Sequence, residues 1–239
     1  LMNESAIHCA RNFSEKISNE DIENALEKIT LGLRSSNVVS NKIKKIRAYN
    51  EVGRAIVSAV NNGIDSIDKI TILPRSGFIG GYTKIAPNDD VISSGLISKK
   101  LLLSNIEIAL AGRAAEIVVF GINEITQYAA NNLNYSTEIA KEMVTKYGFS
   151  VIGPVCLDQN SDEIFLGNSL LRNKSLIADK TSTIIDNQII RISKDALANA
   201  ILKIRNNRSI LEKIVEVLID EETIDSNRFK ELSTNLLKV

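Results

Sequence analysis

"RAYNEVGRAIVSAVNNG" occupies residues 47–63, and its reading decides the fold. Ala48, Val52, Ala55, Ile56 and Ala59 recur at helical spacing from Lys42 onward, one apolar stripe on a polar helix. Asn61-Asn62-Gly63 then supplies a C-terminal stop, because glycine adopts the left-handed conformation that ends helices without strain.

Two amphipathic helices precede this stretch. The first carries Met2, Ala6, Ile7 and Ala10 on one face. The second starts at Ser18, where Ser18 with Asp21 is a weakened capping box, and buries Ile22, Ala25, Leu26 and Ile29. Residues 31–41, "LGLRSSNVVSN", are polar and rich in Ser and Asn, and read as a linker between modules. On the C-terminal side, "DKITILPRSGFIGGYTKIAP" (68–87) holds two β-branched runs, 70–73 and 82–85, around a Pro/Gly turn. The remainder reads as helical: 98–120 as one helix or two, 135–147 stopped by Gly148, the pair 182–205 and 208–219, and 226–237. Residues 150–170 are irregular with a possible strand at 164–166, and the acidic run 219–225 reads as a loop and helix start. The expected fold class is mostly α with a small β hairpin.

Composition removes several classes of function. The 239 residues hold 29 Lys+Arg against 29 Asp+Glu, so no global field attracts a polyanion. Aromatics are 5% and Trp is absent, which leaves little for stacking on bases. Two cysteines, Cys9 and Cys156, make no disulfide framework and read as reduced thiols, Cys156 as a small buried hydrophobe. The most apolar stretch, 106–122, is broken by Arg113 and Glu116, so no segment reads as a membrane span. The first residues lack the pattern of a signal peptide and read as a cut inside a longer protein. His8 is the single histidine, and it lies far in sequence from the other candidates. A His-dependent triad or a two-histidine metal helix therefore cannot be assembled.

That last point bears on residues 50–54. A zinc helix places histidines at i and i+4, one turn apart, with a glutamate at i+1 to take the proton of metal-bound water. Here those places hold Asn50, Glu51 and Arg54. An amide is a poor zinc ligand and a guanidinium stays cationic. Taken alone, the pentapeptide reads as a polar face of an ordinary helix.

Read end to end, the chain resembles the FtsH family of membrane-anchored AAA+ zinc proteases, peptidase family M41, in its cyanobacterial and plastid form. "LMNESAIHCARN" and "ISNEDIENALEKITLG" are similar to the last helices of the AAA+ lid, and "IRAYNEVGRAIV" to the zinc helix. "AGRAAEIVVFG" (111–121) is similar to the family's GGRAAEE helix, and "EITQYAANNLNYSTEIAKEMVTKYG" (124–148) to its TTGAxNDL segment. "GPVCLDQNSDEIFLG" and "LIDEETID" match the photosynthetic branch. The resemblance implies residues 1–35 as the end of a lid subdomain and 36–239 as a helical peptidase domain.

It also implies three zinc ligands, which fall on Asn50, Arg54 and Asn132, all replaced, so no metal is expected. Glu51 keeps the general-base position, inert without metal-bound water. The family's Thr-Thr-Gly-Ala turn is Thr126-Gln127-Tyr128-Ala129 here, and the paired acids after GRAA are reduced to Glu116. Losses of this kind, with the glutamate kept, fit natural divergence of a paralogue better than engineered inactivation. Without zinc, Glu51 needs another partner, and Arg54 at i+3 can reach it from the same face.

The expected function is a proteolytically silent domain in a hexameric ATP-dependent protease, structural or substrate-guiding. Its partners would be copies of itself or active paralogues, with unfolded or membrane-protein substrates. ATP and Mg belong to an ATPase module, and attachment to a plasma or thylakoid membrane to an N-terminal anchor; both lie outside these residues. Gly81, Tyr82, Thr83 and Lys84 match the edge strand along which the family lays substrate, and strand addition needs only backbone groups. The alternative is an active zinc endopeptidase using atypical oxygens such as Glu51, Glu116 and Glu124. The basic run 40–47 reads as a solvated face, and His8 and Cys9 as packing or subunit-contact residues.

Overall fold

The computed structural model describes residues 1–32, 40–74, 80–86, 93–157 and 178–234. Helix α3 (Asn41–Asn62) runs through the centre and is buried on several sides: Ala48, Val52, Ala55, Ile56, Val57 and Ala59 are all enclosed. Its last carbonyls are closed at Gly63, which adopts φ 94° at the predicted stop. Helix α4 (Lys99–Val119) is a single helix, N-capped by the Ser98 hydroxyl. Its small residues let α3 approach closely. A Cβ added at Gly53 would lie 2.7 Å from the Ala115 Cβ and 3.1 Å from the Ala111 carbonyl oxygen.

Helices α5 (Ala130–Thr145), α6 (Asp179–Asn206), α7 (Arg208–Glu221) and α8 (Ser226–Leu232) complete the body. One core unites α3 with Ile204, Leu211, Ile214, Leu218 and Phe229; a second joins Leu102, Ile106, Met143 and Ala196. Burying each large side chain of this kind contributes ~2 kcal/mol. A buried polar tie crosses the helices. Glu107 of α4 accepts from Asn199 at 3.0 Å and from Asn61 at 2.9 Å, and it pairs with the Lys203 ammonium, which also donates to Asn61 at 2.6 Å.

Three short strands form an antiparallel sheet in the order β2-β1-β3: β1 (Ile67–Thr71), β2 (Tyr82–Ile85) and β3 (Thr223–Asp225). Ile70 stands between Thr83 and Ile224 in the register. The expected hairpin is present, with its first strand beginning three residues early. The third strand corrects the reading of 219–225 as a loop and helix start. Its only core side chain is Ile224, and pairing with β1 makes it a strand. Asp225 then caps α8 through a bond from the Arg228 amide.

The N-terminal pair, α1 (Met2–Arg11) and α2 (Asn19–Leu31), corrects two further expectations. The α1 stripe of Met2, Ala6, Ile7 and Ala10 is exposed, whereas Ser5 and Cys9 are buried. In α2, Ala25 is buried and Leu26 and Ile29 are exposed. Polar contacts unite the pair: Glu4 with Lys28, and His8 Nδ1 with Asp21 at 2.7 Å. The Ser18–Asp21 capping box is formed as read. Cys156 is exposed rather than buried. The suggested strand at 164–166 lies outside the described residues. No helix among the described residues is long and apolar enough to cross a membrane.

Candidate functional site

Because α3 is fixed against α4 on one side and the sheet on another, consecutive residues of its middle turns face different neighbours. Glu51 faces the sheet and is 2% exposed. A carboxylate so enclosed is costly unless its lone pairs are met, and here they are. Oε2 accepts from Arg54 Nη1 at 3.2 Å and from Thr83 Oγ1 at 2.8 Å, while Oε1 accepts from the Tyr128 hydroxyl at 3.0 Å. The i,i+3 pairing of Glu51 with Arg54 is as expected from the sequence. Arg54 is only partly engaged: its buried Nε has no hydrogen-bond partner among the described residues.

Tyr128 arrives on a 3₁₀ turn (Gln127–Ala129) capped by Thr126, whose hydroxyl accepts from the Tyr128 amide at 3.3 Å. The phenol lies within 3.2 Å of the Gly81 carbonyl as well. Its ring covers Gly80, where a Cβ would fall 2.1 Å from the ring, so only glycine fits beneath it. Burial first, and the Glu51 charge second, raise the Tyr128 pKa well above the ordinary phenol value. The hydroxyl therefore stays a proton donor to Glu51.

Asn50 looks the other way. It is fully buried, and its amide nitrogen donates to Glu116 of α4. The Glu116 carboxylate also takes the Thr126 hydroxyl at 2.8 Å and the Thr126 amide at 2.6 Å. The Asn50 carbonyl oxygen stands over Gly112, 2.2 Å from where a Cβ would be. Glu116 thus fastens α3, α4 and the Tyr128 turn together, one acid serving three elements. Asn132 sits in the first turn of α5, half-buried and outside both networks, and Glu124 is exposed. His8 is committed to Asp21 in the N-terminal pair.

The surroundings of Glu51 do not fit a zinc ion. Its neighbours are a guanidinium, which stays cationic and has no lone pair to give, and two neutral hydroxyls that donate to the carboxylate, whereas zinc takes imidazole, thiolate or carboxylate ligands. Among the described residues no three His, Cys, Asp or Glu side chains converge on a metal-sized volume. What the arrangement can do is hold the Glu51 carboxylate fixed between α3 and β2. The structure adds Thr126 and Tyr128 to the residues the sequence had marked as a site, and it places Thr83, marked for the substrate strand, against Glu51. The altered turn 126–129 signalled a lost glycine, but nothing local told that its tyrosine reaches Glu51.

Comparison with known proteins agrees with this architecture. The family model of Peptidase family M41 matches residues 37–232. The ATP-dependent zinc metalloprotease FtsH of Cyanidium caldarium is 37% identical over 229 residues, covering 96% of this chain and 36% of that protein. FtsH 3 of Synechocystis sp. is 35% identical over 237 residues, 98% of this chain and 38% of its own length. The chloroplastic FTSH 8 of Arabidopsis thaliana is 35% identical over 239 residues, 100% of this chain and 34% of its own. The chain spans about a third of the length of these curated relatives. With a matching family model over most of its length and the helical body around Glu51 in place, the chain belongs to peptidase family M41, as an FtsH-type domain.

Proposed function

We propose that this domain does not hydrolyse peptide bonds and serves as a structural or substrate-guiding subunit of a membrane-anchored, hexameric ATP-dependent protease. The observation that carries the reading is the set of partners around Glu51. In place of a metal and its water, the carboxylate is met by Arg54, Thr83 and Tyr128. Asn50, at the first position implied for a ligand, spends its amide on Glu116. Arg54 supplies the positive charge that a zinc ion would otherwise bring beside Glu51, and Asn132 carries no charge that calls for one.

Residues 1–35 act as the end of an ATPase lid and 36–239 as the peptidase-type domain. The ATPase with its ATP and Mg, and the membrane anchor, belong to the rest of the protein. The relatives are named ATP-dependent and, for FTSH 8, chloroplastic. By that likeness the domain works at the cytoplasmic or stromal face of a plasma or thylakoid membrane, in rings with its own copies or with hydrolytic paralogues. Gly81, Tyr82, Thr83 and Lys84 lie at or next to β2, which ends the sheet among the described residues. Backbone groups on such an edge accept an extended chain without any need for hydrolysis.

The purified chain, incubated with Zn²⁺ and desalted, is expected to retain far less than one zinc per chain and to leave casein intact. Stoichiometric zinc with casein cleavage that Glu51→Gln abolishes would overturn the proposal.

A further inference from the structure

Glu27 lies on the second helix of the N-terminal pair, yet its side chain reaches the sheet. Its Oε1 accepts from Lys69 Nζ of β1 at 2.7 Å and from the Tyr82 hydroxyl of β2 at 2.7 Å. Glu27 is buried in this contact, at 9% exposure, and the lysine balances its charge. A buried carboxylate held by a cation and a phenol forms a directional joint: moving it off its donors leaves an unpaired charge.

The strand on the receiving end is gripped twice. Successive side chains of a strand point to opposite faces. Tyr82 extends to Glu27 of α2, and its neighbour Thr83 extends to Glu51 of α3 at 2.8 Å. One residue step of β2 therefore separates a carboxylate of the helix pair from the carboxylate of the candidate site. The helix pair is also braced within itself by Glu4–Lys28 and His8–Asp21, so it can carry a displacement rather than absorb it.

We infer that Glu27 is the contact through which the N-terminal helix pair sets the position of β2, and with it the hold of Thr83 on Glu51. A shift of α2 draws Tyr82 with it, and β2, paired on one side only among the described residues, follows. Thr83 then leaves or tightens on Glu51. The coupling is reciprocal, since a free-energy link between two sites acts equally in both directions. It holds whether or not the domain binds metal or peptide.

Hydrogen exchange and carboxyl ¹³C NMR on the whole chain test this. Tyr82→Phe removes one hydroxyl and leaves the ring, and Glu27→Gln removes the charge. Both are expected to raise amide exchange across β2 about tenfold, the effect of losing one buried hydrogen bond. Both should also move the Glu51 carboxyl resonance, and Thr83→Val should in turn speed exchange in α2. Unchanged β2 exchange in Tyr82→Phe overturns the inference, as does faster β2 exchange with a stationary Glu51 resonance. Should Glu27→Gln lose helix by circular dichroism, Tyr82→Phe decides alone, because it leaves α2 intact. These readouts are separate from zinc content and casein cleavage, so either proposal can fail without the other.

Discussion

Two buried carboxylates on neighbouring helices show what distinguishes a structural tie from a site. Glu107 of α4 is met by Lys203, Asn61 and Asn199, and its lysine is met in turn by Asn61. Glu51 of α3 also has a cation and two further donors, but among the described residues its arginine donates to it at 3.2 Å through Nη1 while its buried Nε has no partner. The same chemistry is closed in one place and open in the other. In the Glu107 cluster no buried side-chain nitrogen or oxygen is left without a partner among the described residues. The Glu51 cluster retains a loose donor beside a strand that another helix can move.

The comparison breaks most readily at its closed end. Lys203→Ala strands a buried charge on Glu107, and equilibrium urea unfolding should show a loss of ~3 kcal/mol or more. A loss below that of one exposed ion pair would mean the tie carries no weight. Gly112→Ala tests the α3–α4 contact that turns Asn50 away from Glu51. A methyl 2.2 Å from the Asn50 oxygen must displace it, with an expected cost of ~2 kcal/mol by the same measurement. Tyr128→Phe sharpens the open end. It removes one donor while Arg54 and Thr83 remain, and should cost ~1 kcal/mol. An effect equal to that of Lys203→Ala would erase the distinction.

The smallest effect lies in the N-terminal pair and depends on pH. The His8 bond first, then the Ser18 amide and hydroxyl, lower the Asp21 pKa from 3.8 to about 2. A carboxyl depressed in the folded state binds its proton less readily there than when unfolded. Its contribution is therefore complete above pH 3.8 and is lost as pH falls through about 2. An acid titration of helicity should show this loss in the native chain and not in Asp21→Asn.

Local signals were read well from the sequence, and remote ones were not. The end of α3 at Gly63, the Ser18 capping box and the pairing of Arg54 with Glu51 are set by residues one to four positions apart. The other partners of Glu51 come from positions 32 and 77 residues away. Tyr128 could be seen to replace a glycine, but only packing of its turn on Glu116 aims it at α3. Strand β3 escaped because it has one buried apolar residue and is a strand only by pairing with β1. The α1 stripe misled for the opposite reason. Its periodicity is real, but the side that meets α2 carries Ser5 and Cys9, and an apolar stripe does not by itself say what covers it.

The close contact of Gly53 with Ala111 and Ala115 separates two kinds of inheritance in this chain. It fixes the rotation of α3 through atoms that take no part in chemistry, so the facing of positions 50, 51 and 54 is decided before their side chains are chosen. Fold identity and site identity are then independent variables, one stored in small residues between helices and the other in whatever they display. Such a scaffold can be rewritten at its site without being redesigned, which makes the helix pair a natural host for installed ligands or reporters.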